Sequence, residues 1–259
     1  MNAPGASELH SLEAKKRLGG ITHVVLVGSG KGGVGKSFVA CGLALSLARK
    51  GHRVGIFDVD LHGASVANYL GLKPPLRSTR DGLEPKTVGG VRAMSVALLT
   101  GRNPVPMRGN EKEDLITQFF ALTSWGTLDY LVVDLPPSTG DELLSVFKLF
   151  AGKCSLILVS TPSKSALQVV SRLSRLARTE AIPVVGVALN MAFMMRNKRK
   201  EFPFGRQGRE SVRRELGSEL LVEFPLYPAV NSTRLLSVLR GHNLVSAAFD
   251  ALAGTAAAT

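Results

Sequence analysis

The sequence predicts an α/β chain: a three-layer sandwich in which a mostly parallel central sheet is flanked by helices on both faces. Three observations carry that expectation. Short β-branched runs alternate with helical patterns, a glycine-rich turn joins the first run to the first helix, and aspartates follow two later runs. With 259 residues, 45% of them apolar and 20% charged, the chain can fill one large core, which excludes a disordered polymer.

Residues 1–20 (MNAPGASELHSLEAKKRLGG) are charged throughout and lack the apolar stretch of a signal peptide, so they read as a flexible extension. A single domain is expected over 21–253. Its strands are HVVLV before Gly28, VGIF before Asp58, YLVV before Asp134, SLILV before Ser160 and VVGVAL before Asn190. Unbroken apolar runs of this kind suit strands covered on both faces. The first helix is expected from Gly35 to Lys50, with Arg49 and Lys50 at its negative end and Gly51 as the left-handed cap. A second begins at Ser163 and turns Ala166, Val169, Val170, Leu173 and Leu176 inward, leaving Lys164, Gln168, Arg172 and Arg175 outside. Between Leu72 and Leu99, Pro74, Pro75, Asp81-Gly82, Pro85 and Gly89-Gly90 mark a turn-rich insertion with short strands. Residues 254–259 are expected to fray. No internal repeat stands out.

Charge and cysteine content narrow the setting. The formal net charge is +12 with a pI near 10.1, which favours an acidic partner such as a polyphosphate, nucleic acid or anionic surface. Cys41 and Cys154 are far apart in apolar surroundings, so neither a disulfide framework nor a CxxC metal site is built, and a reducing, cytoplasmic setting is expected. No stretch approaches the ~18 apolar residues of a membrane span. His10, His23, His52, His62 and His242 are scattered and suggest no metal centre.

The chemistry concentrates in GSGKGGVGKS, Gly28 to Ser37, between a strand and a helix. From Gly30 to Ser37 it satisfies G-x-x-x-x-G-K-[ST]. Glycines let successive backbone N–H groups turn inward onto phosphate oxygens, and the helix adds its positive end. Lys36 then supplies a point charge and the Ser37 hydroxyl a Mg²⁺ ligand. The same segment fits the dinucleotide pattern G-x-G-x-x-G through Gly28, Gly30 and Gly33, with Asp58 placed for a ribose. That rival has no use for Lys36-Ser37, nor for a further acidic loop after the YLVV run. FDVDLHGAS sets Asp58 and Asp60, and VVDLPPSTGD sets Asp134, beyond the carboxyl ends of strands, where carboxylates can hold a Mg²⁺ ion through its waters. Each aspartate alone could equally cap a turn. Three of them beside a phosphate loop point to a P-loop NTPase.

KGGVGKS from Lys31 to Ser37 resembles the deviant Walker A box of the MinD/ParA/Mrp ATPases. DVDLHGAS, VRAMSVALL, WGTLDYLVVDLPPSTGD and ALNM resemble, in order, segments of the Mrp (ApbC) branch, the iron-sulfur cluster carrier ATPases, over about Ile21 to Asn243. The resemblance implies ATP bound along Gly30, Lys31, Gly32, Gly33, Val34, Gly35, Lys36, Ser37 and Phe38. It makes Lys31 the signature lysine that reaches a partner subunit's phosphates in a homodimer. It also implies Lys36 and Ser37 as phosphate and Mg²⁺ contacts, Asp58 as a metal-water ligand, Asp60 as the residue positioning attacking water, Asp134 as the Walker B carboxylate, and Asn190 as the reader of adenine.

Two departures from that pattern matter. The CPxCG pair expected after ALNM is absent, and the chain continues MAFMMRNKRKEFPFG. Cys41 and Cys154 read as small buried hydrophobes, so the sequence does not support an iron-sulfur cluster ligated by cysteine. Ser138 replaces a glycine of DLPPGTGD, from which slow hydrolysis is expected.

From Met191 to Arg214 the chain also carries Arg196, Lys198, Arg199, Lys200, Arg206, Arg209, Arg213 and Arg214 against Glu201 and Glu210. This stretch suits nucleic acid, an acidic protein or a merely solvated face, with Phe193, Phe202 and Phe204 packing beneath it. Two functions follow. One is an ATP-switched Mrp-like protein serving iron-sulfur assembly or client proteins; the other is a partition-type ATPase binding DNA through residues 191–214. The tail lacks the basic amphipathic helix that would place it on a membrane.

Overall fold

The computed structural model describes residues 6–61, 63–100, 109–137, 140–205, 209–227, 235–241 and 243–258. His62, Ser138, Arg206 and His242, singled out above, lie outside them. The predicted runs form β1 (Ile21–Ser29), β2 (Val54–Asp58), β7 (Leu128–Asp134), β8 (Cys154–Ser160) and β9 (Val184–Arg196). The turn-rich insertion supplies β3 (Arg77–Thr79), β4 (Gly82–Glu84), β5 (Lys86–Val88) and β6 (Val91–Ser95), and β10 (Arg199–Glu201) and β11 (Leu220–Pro225) follow β9. The main sheet has nine strands in the order β10-β9-β8-β1-β7-β2-β6-β5, with β11 also pairing β9. Only β5 and β10 run antiparallel to their neighbours in it. β3 and β4 make a separate two-stranded hairpin.

Alternation along the central strands divides the core into two layers. Val24 and Leu26 of β1 face a cluster with α1 (Ala6–Gly19), α5 (Gly109–Leu122), α6 (Asp141–Phe150), α7 (Lys164–Thr179) and α8 (Arg209–Leu216). Val25 and Val27 face the other way, toward α2 (Lys36–Arg49), α3 (Val66–Leu70), α9 (Leu235–Arg240) and α10 (Leu244–Ala257). Because both faces are covered, the central strands are apolar at nearly every position. Ser163 caps α7 by accepting from the Ala166 N–H, and of the stripe expected there Ala166, Val170 and Leu173 are buried.

Both chain ends differ from expectation. Residues 6–19 are the helix α1, with Ala14 buried; Arg17 Nε donates to the Ala121 carbonyl at 3.3 Å and Arg17 Nη2 to the Asp81 carbonyl at 2.6 Å. The extension is therefore helical from residue 6 and anchored through Ala14 and Arg17, although its composition is polar. At the other end α10 continues to Ala257, because Ala253 and Ala256 are buried against the α2 layer. Its start is fixed by a capping box between Asn243 and Ser246.

Candidate functional site

The register of the parallel strands brings the acidic residues together. Asp134 ends β7 opposite Asp58 at the end of β2, and Asp58 in turn stands opposite Ser95 at the end of β6. The loop Gly30–Gly35 leaves β1 at this same carboxyl end of the sheet, where α/β folds bind ligands. Gly33 and Gly35 have φ of +78° and +86°, so the backbone curls as a phosphate-binding nest requires. Gly35 is the N-cap of α2 and the helix proper begins at Lys36.

Lys36 Nζ donates to Asp134 Oδ1 at 2.7 Å and Ser37 Oγ to Asp134 Oδ2 at 2.5 Å. Asp60 Oδ2 lies 3.8 Å from the same ammonium, while Asp60 Oδ1 accepts from the Gly63 N–H at 2.8 Å. Asp58 is tied down by three donors: the Asp60 N–H at 3.2 Å, the Val66 N–H at 3.2 Å and Ser95 Oγ at 2.9 Å. All four charged groups are buried. Burial, then the neighbouring Asp134 charge, pushes the Asp58 carboxyl up to about 7, against the pull of Lys36. Burial also raises Asp134, opposed chiefly by Lys36. Three carboxyls against one ammonium leave a pocket short of positive charge, and all its donors are hard oxygens. This donor set fits Mg²⁺, which keeps waters and phosphate oxygens in its shell and needs no all-protein cage. Among the described residues no three His, Cys, Asp or Glu side chains form such a cage.

Of the other predicted residues, Lys31 is half-buried on the loop, and its carbonyl accepts from Ser29 Oγ at 3.1 Å. Among the described residues its ammonium forms no ion pair. The Phe38 side chain points into the core, edge-on to Phe249 with ring centres 5.1 Å apart, which leaves only its backbone N–H at the helix start for a ligand. Asn190 is buried and donates from Nδ2 to the Val34 carbonyl at 2.9 Å, so it braces the loop directly. Ser95 was missed by sequence reasoning; the signal was a polar residue ending an apolar strand, VRAMS, as Asp58 ends its own. The two cysteines sit in different layers, Cys41 in α2 and Cys154 at the start of β8 on the opposite face of the sheet. Burial raises both thiols, Cys154 to about 11.

The match to a family model, ParA: NUBPL iron-transfer P-loop NTPase, runs over residues 20–245 and so takes in the whole of this site. The chain belongs to that family. An iron-sulfur cluster carrier protein of Saccharolobus solfataricus is 37% identical over 226 residues, 85% of this chain and 76% of that protein. A Bacillus subtilis protein of the same description is 41% identical over 205 residues, 77% of this chain but 57% of its own length, and the chain spans 51% of a Deinococcus radiodurans relative. Among solved structures, an ADP complex of a nucleotide-binding protein from Archaeoglobus fulgidus superposes with a TM-score of 0.77 at 30% identity, over 91% of this chain and 94% of that one. MinD of Pyrococcus furiosus shares the fold with a TM-score of 0.64 at 20% identity, over 90% and 98% of the two chains. As a P-loop NTPase the family member is a nucleotide-binding, ATPase-type enzyme. Among the described residues no helix is long and apolar enough to cross a membrane.

Proposed function

We propose that this chain is a Mg²⁺-dependent ATP switch serving iron-sulfur cluster assembly, acting as a partner or regulator of a carrier rather than holding a cluster through its own cysteines. The observation that carries the switch is the joint commitment of Lys36 and Ser37 to Asp134 at the mouth of the glycine loop. A triphosphate offers Lys36 a stronger counter-charge than one carboxylate, so binding would turn the ammonium from Asp134 to phosphate and free that carboxylate. Mg²⁺ would be held by the Ser37 hydroxyl, with Asp134 and Asp58 reaching it through water; once bound it neutralises charge on the phosphates. Asp60, released from Lys36, would orient the attacking water. Phosphoryl transfer needs little more from the protein than this positioning and charge neutralisation. Lys31, on the outer shoulder of the loop, is suited to reach a second copy's phosphates, so a homodimer would complete the site and slow turnover would make a switch rather than a motor.

The iron-sulfur assignment rests on the relatives named above. The partition reading draws less support: the MinD and ParA-type structures match at 18–20% identity, which carries the fold alone. Phosphate release from ATP is the direct test. Lys36→Ala and Asp60→Ala are each expected to lower Mg²⁺-dependent turnover by about 100-fold or more, since each removes a positioning or charge-stabilising group. Unchanged rates in both variants would refute the assigned chemistry.

A further inference from the structure

The segment that replaces the expected cysteine pair is ordered. β9 runs past Asn190 to Arg196, turns at Asn197 and Lys198, whose φ values are +49° and +61°, and returns as β10. Left-handed backbone at both turn residues is the mark of a two-residue hairpin. Arg196 and Arg199 stand opposite each other at its end, and Met195 pairs with Lys200. Among the described residues none of Arg196, Lys198, Arg199 and Lys200 is in an ion pair. Lys200 instead lies 4.1 Å from the centre of the Phe193 ring. Elsewhere in the basic stretch Arg213 pairs with Glu219 at 2.5 Å.

Apolar side chains accompany this charge. The Leu226 N–H donates to the Phe193 carbonyl at 2.6 Å, so the chain leaves β11 alongside the last residues of β9. Met195, Leu226 and Tyr227 are 45%, 36% and 40% exposed, and Phe204, three residues beyond β10, is 44% exposed. Cations alone would suffice to keep the edge strand β10 from pairing; that role does not account for the exposed Met195, Leu226 and Tyr227 beside them. A phosphate-tracking surface would spread its cations along a groove with stacking aromatics. Arg, Tyr and Met together are the types enriched where proteins meet.

We propose that the β9–β10 hairpin, with the Leu226–Tyr227 segment that leaves β11, is a docking surface for an acidic, apolar-bearing segment of a partner protein. The carboxylates would meet Arg196, Lys198 and Arg199, and the apolar side chains would cover Met195 and Tyr227. This goes beyond the ATP-switch reading and does not depend on it.

The test is a selection from a displayed library of random peptides of about 16 residues against the full chain. Two variants serve as counter-targets: Arg196→Glu with Arg199→Glu, and Met195→Ser with Tyr227→Ser. All four positions are exposed, so thermal melting and ATP turnover should match the parent. The parent is expected to enrich peptides in which Asp or Glu alternate with Leu, Met, Phe or Trp. The best of these, synthesised with a fluorophore, should bind either variant at least about tenfold more weakly, and should weaken as salt rises from ~0.05 to ~0.3 M. Failure to enrich such peptides, or equal binding to parent and variants, would overturn the proposal. So would retention of a short DNA duplex in their place, lost on charge reversal but indifferent to the apolar substitutions, which would make the surface a site for polyanions.

Discussion

Asn190 and Gly35 define one another. A Cβ at residue 35 would stand 2.1 Å from Asn190 Nδ2, and the φ of +86° there is costly for any side chain. Gly35→Ala should therefore push the asparagine off the Val34 carbonyl and open the loop, weakening ATP binding by about tenfold or more, as read by titration with a fluorescent nucleotide. Asn190→Ala leaves the Val34 carbonyl without that partner, which costs about 1–3 kcal/mol for a buried acceptor. The double variant relieves the clash but not the backbone strain, so its affinity should fall between that of Gly35→Ala and the parent. An affinity for Gly35→Ala equal to the parent's would show that the loop does not need this geometry. The glycines, Lys36, Ser37 and the three aspartates were legible because phosphate chemistry demands those residue types at that spacing. The bracing role of Asn190 and the inward turn of Phe38 were not, since both depend on which elements lie across the loop.

Sheet elements are also locked at the end far from the loop. The Asp129 carboxylate, at the start of β7, accepts the Arg53 N–H at 2.7 Å and the guanidinium at 2.5 Å, while the Asp129 N–H donates to the Arg53 carbonyl at 2.8 Å. Those bonds, with His52 adding a smaller pull, hold Asp129 down to about 2. Because the folded carboxyl binds its proton less readily than the unfolded one, whose ordinary value is ~3.9, its contribution is complete above that value. It is lost as pH falls through about 2. Asp129→Asn should lower the melting temperature modestly at neutral pH and flatten the acid decline between roughly pH 4 and 2; the pair is largely exposed, so salt should shrink the difference. An identical acid limb in both proteins would count against the pairing. Strands were the most legible elements, their apolar runs being dictated by two-sided burial. Helix α1 was not: it buries Ala14, packs Leu18 partly on the core and leaves Leu9 and Leu12 exposed among its charges, so its place comes from α5 and not from its own pattern. The hairpin end of β9 was not legible either, because past Asn190 the apolar run gives way to MRNKRKE, which has no buried face to mark a strand, although Asn197 is the residue type a left-handed turn favours.

On the scale of the whole molecule, the sheet decides what the cysteines can do. Cys41 packs in the α2 layer and Cys154 in the α5–α7 layer, with the central sheet between them. A cluster needs thiolates converging on one centre, and its ligands must be deprotonated. Here the two thiols belong to opposite faces, and burial disfavours ionisation of both, for Cys41 with the added push of the Asp134 and Asp58 charges. Bringing them together would require opening the core that folding creates. Two copies of the chain do not escape this: Cys41 is wholly buried in its own protomer, and Cys154, 8% exposed, offers a single thiol per copy. Anaerobic incubation with iron and sulfide, followed by desalting, should therefore leave no visible absorbance band and no stoichiometric iron, with or without ATP. A Cys41→Ser, Cys154→Ser variant should behave as the parent does. A band that the parent forms and the variant loses would mean that the layers separate in solution, and would turn the chain from a partner of a carrier into a carrier itself.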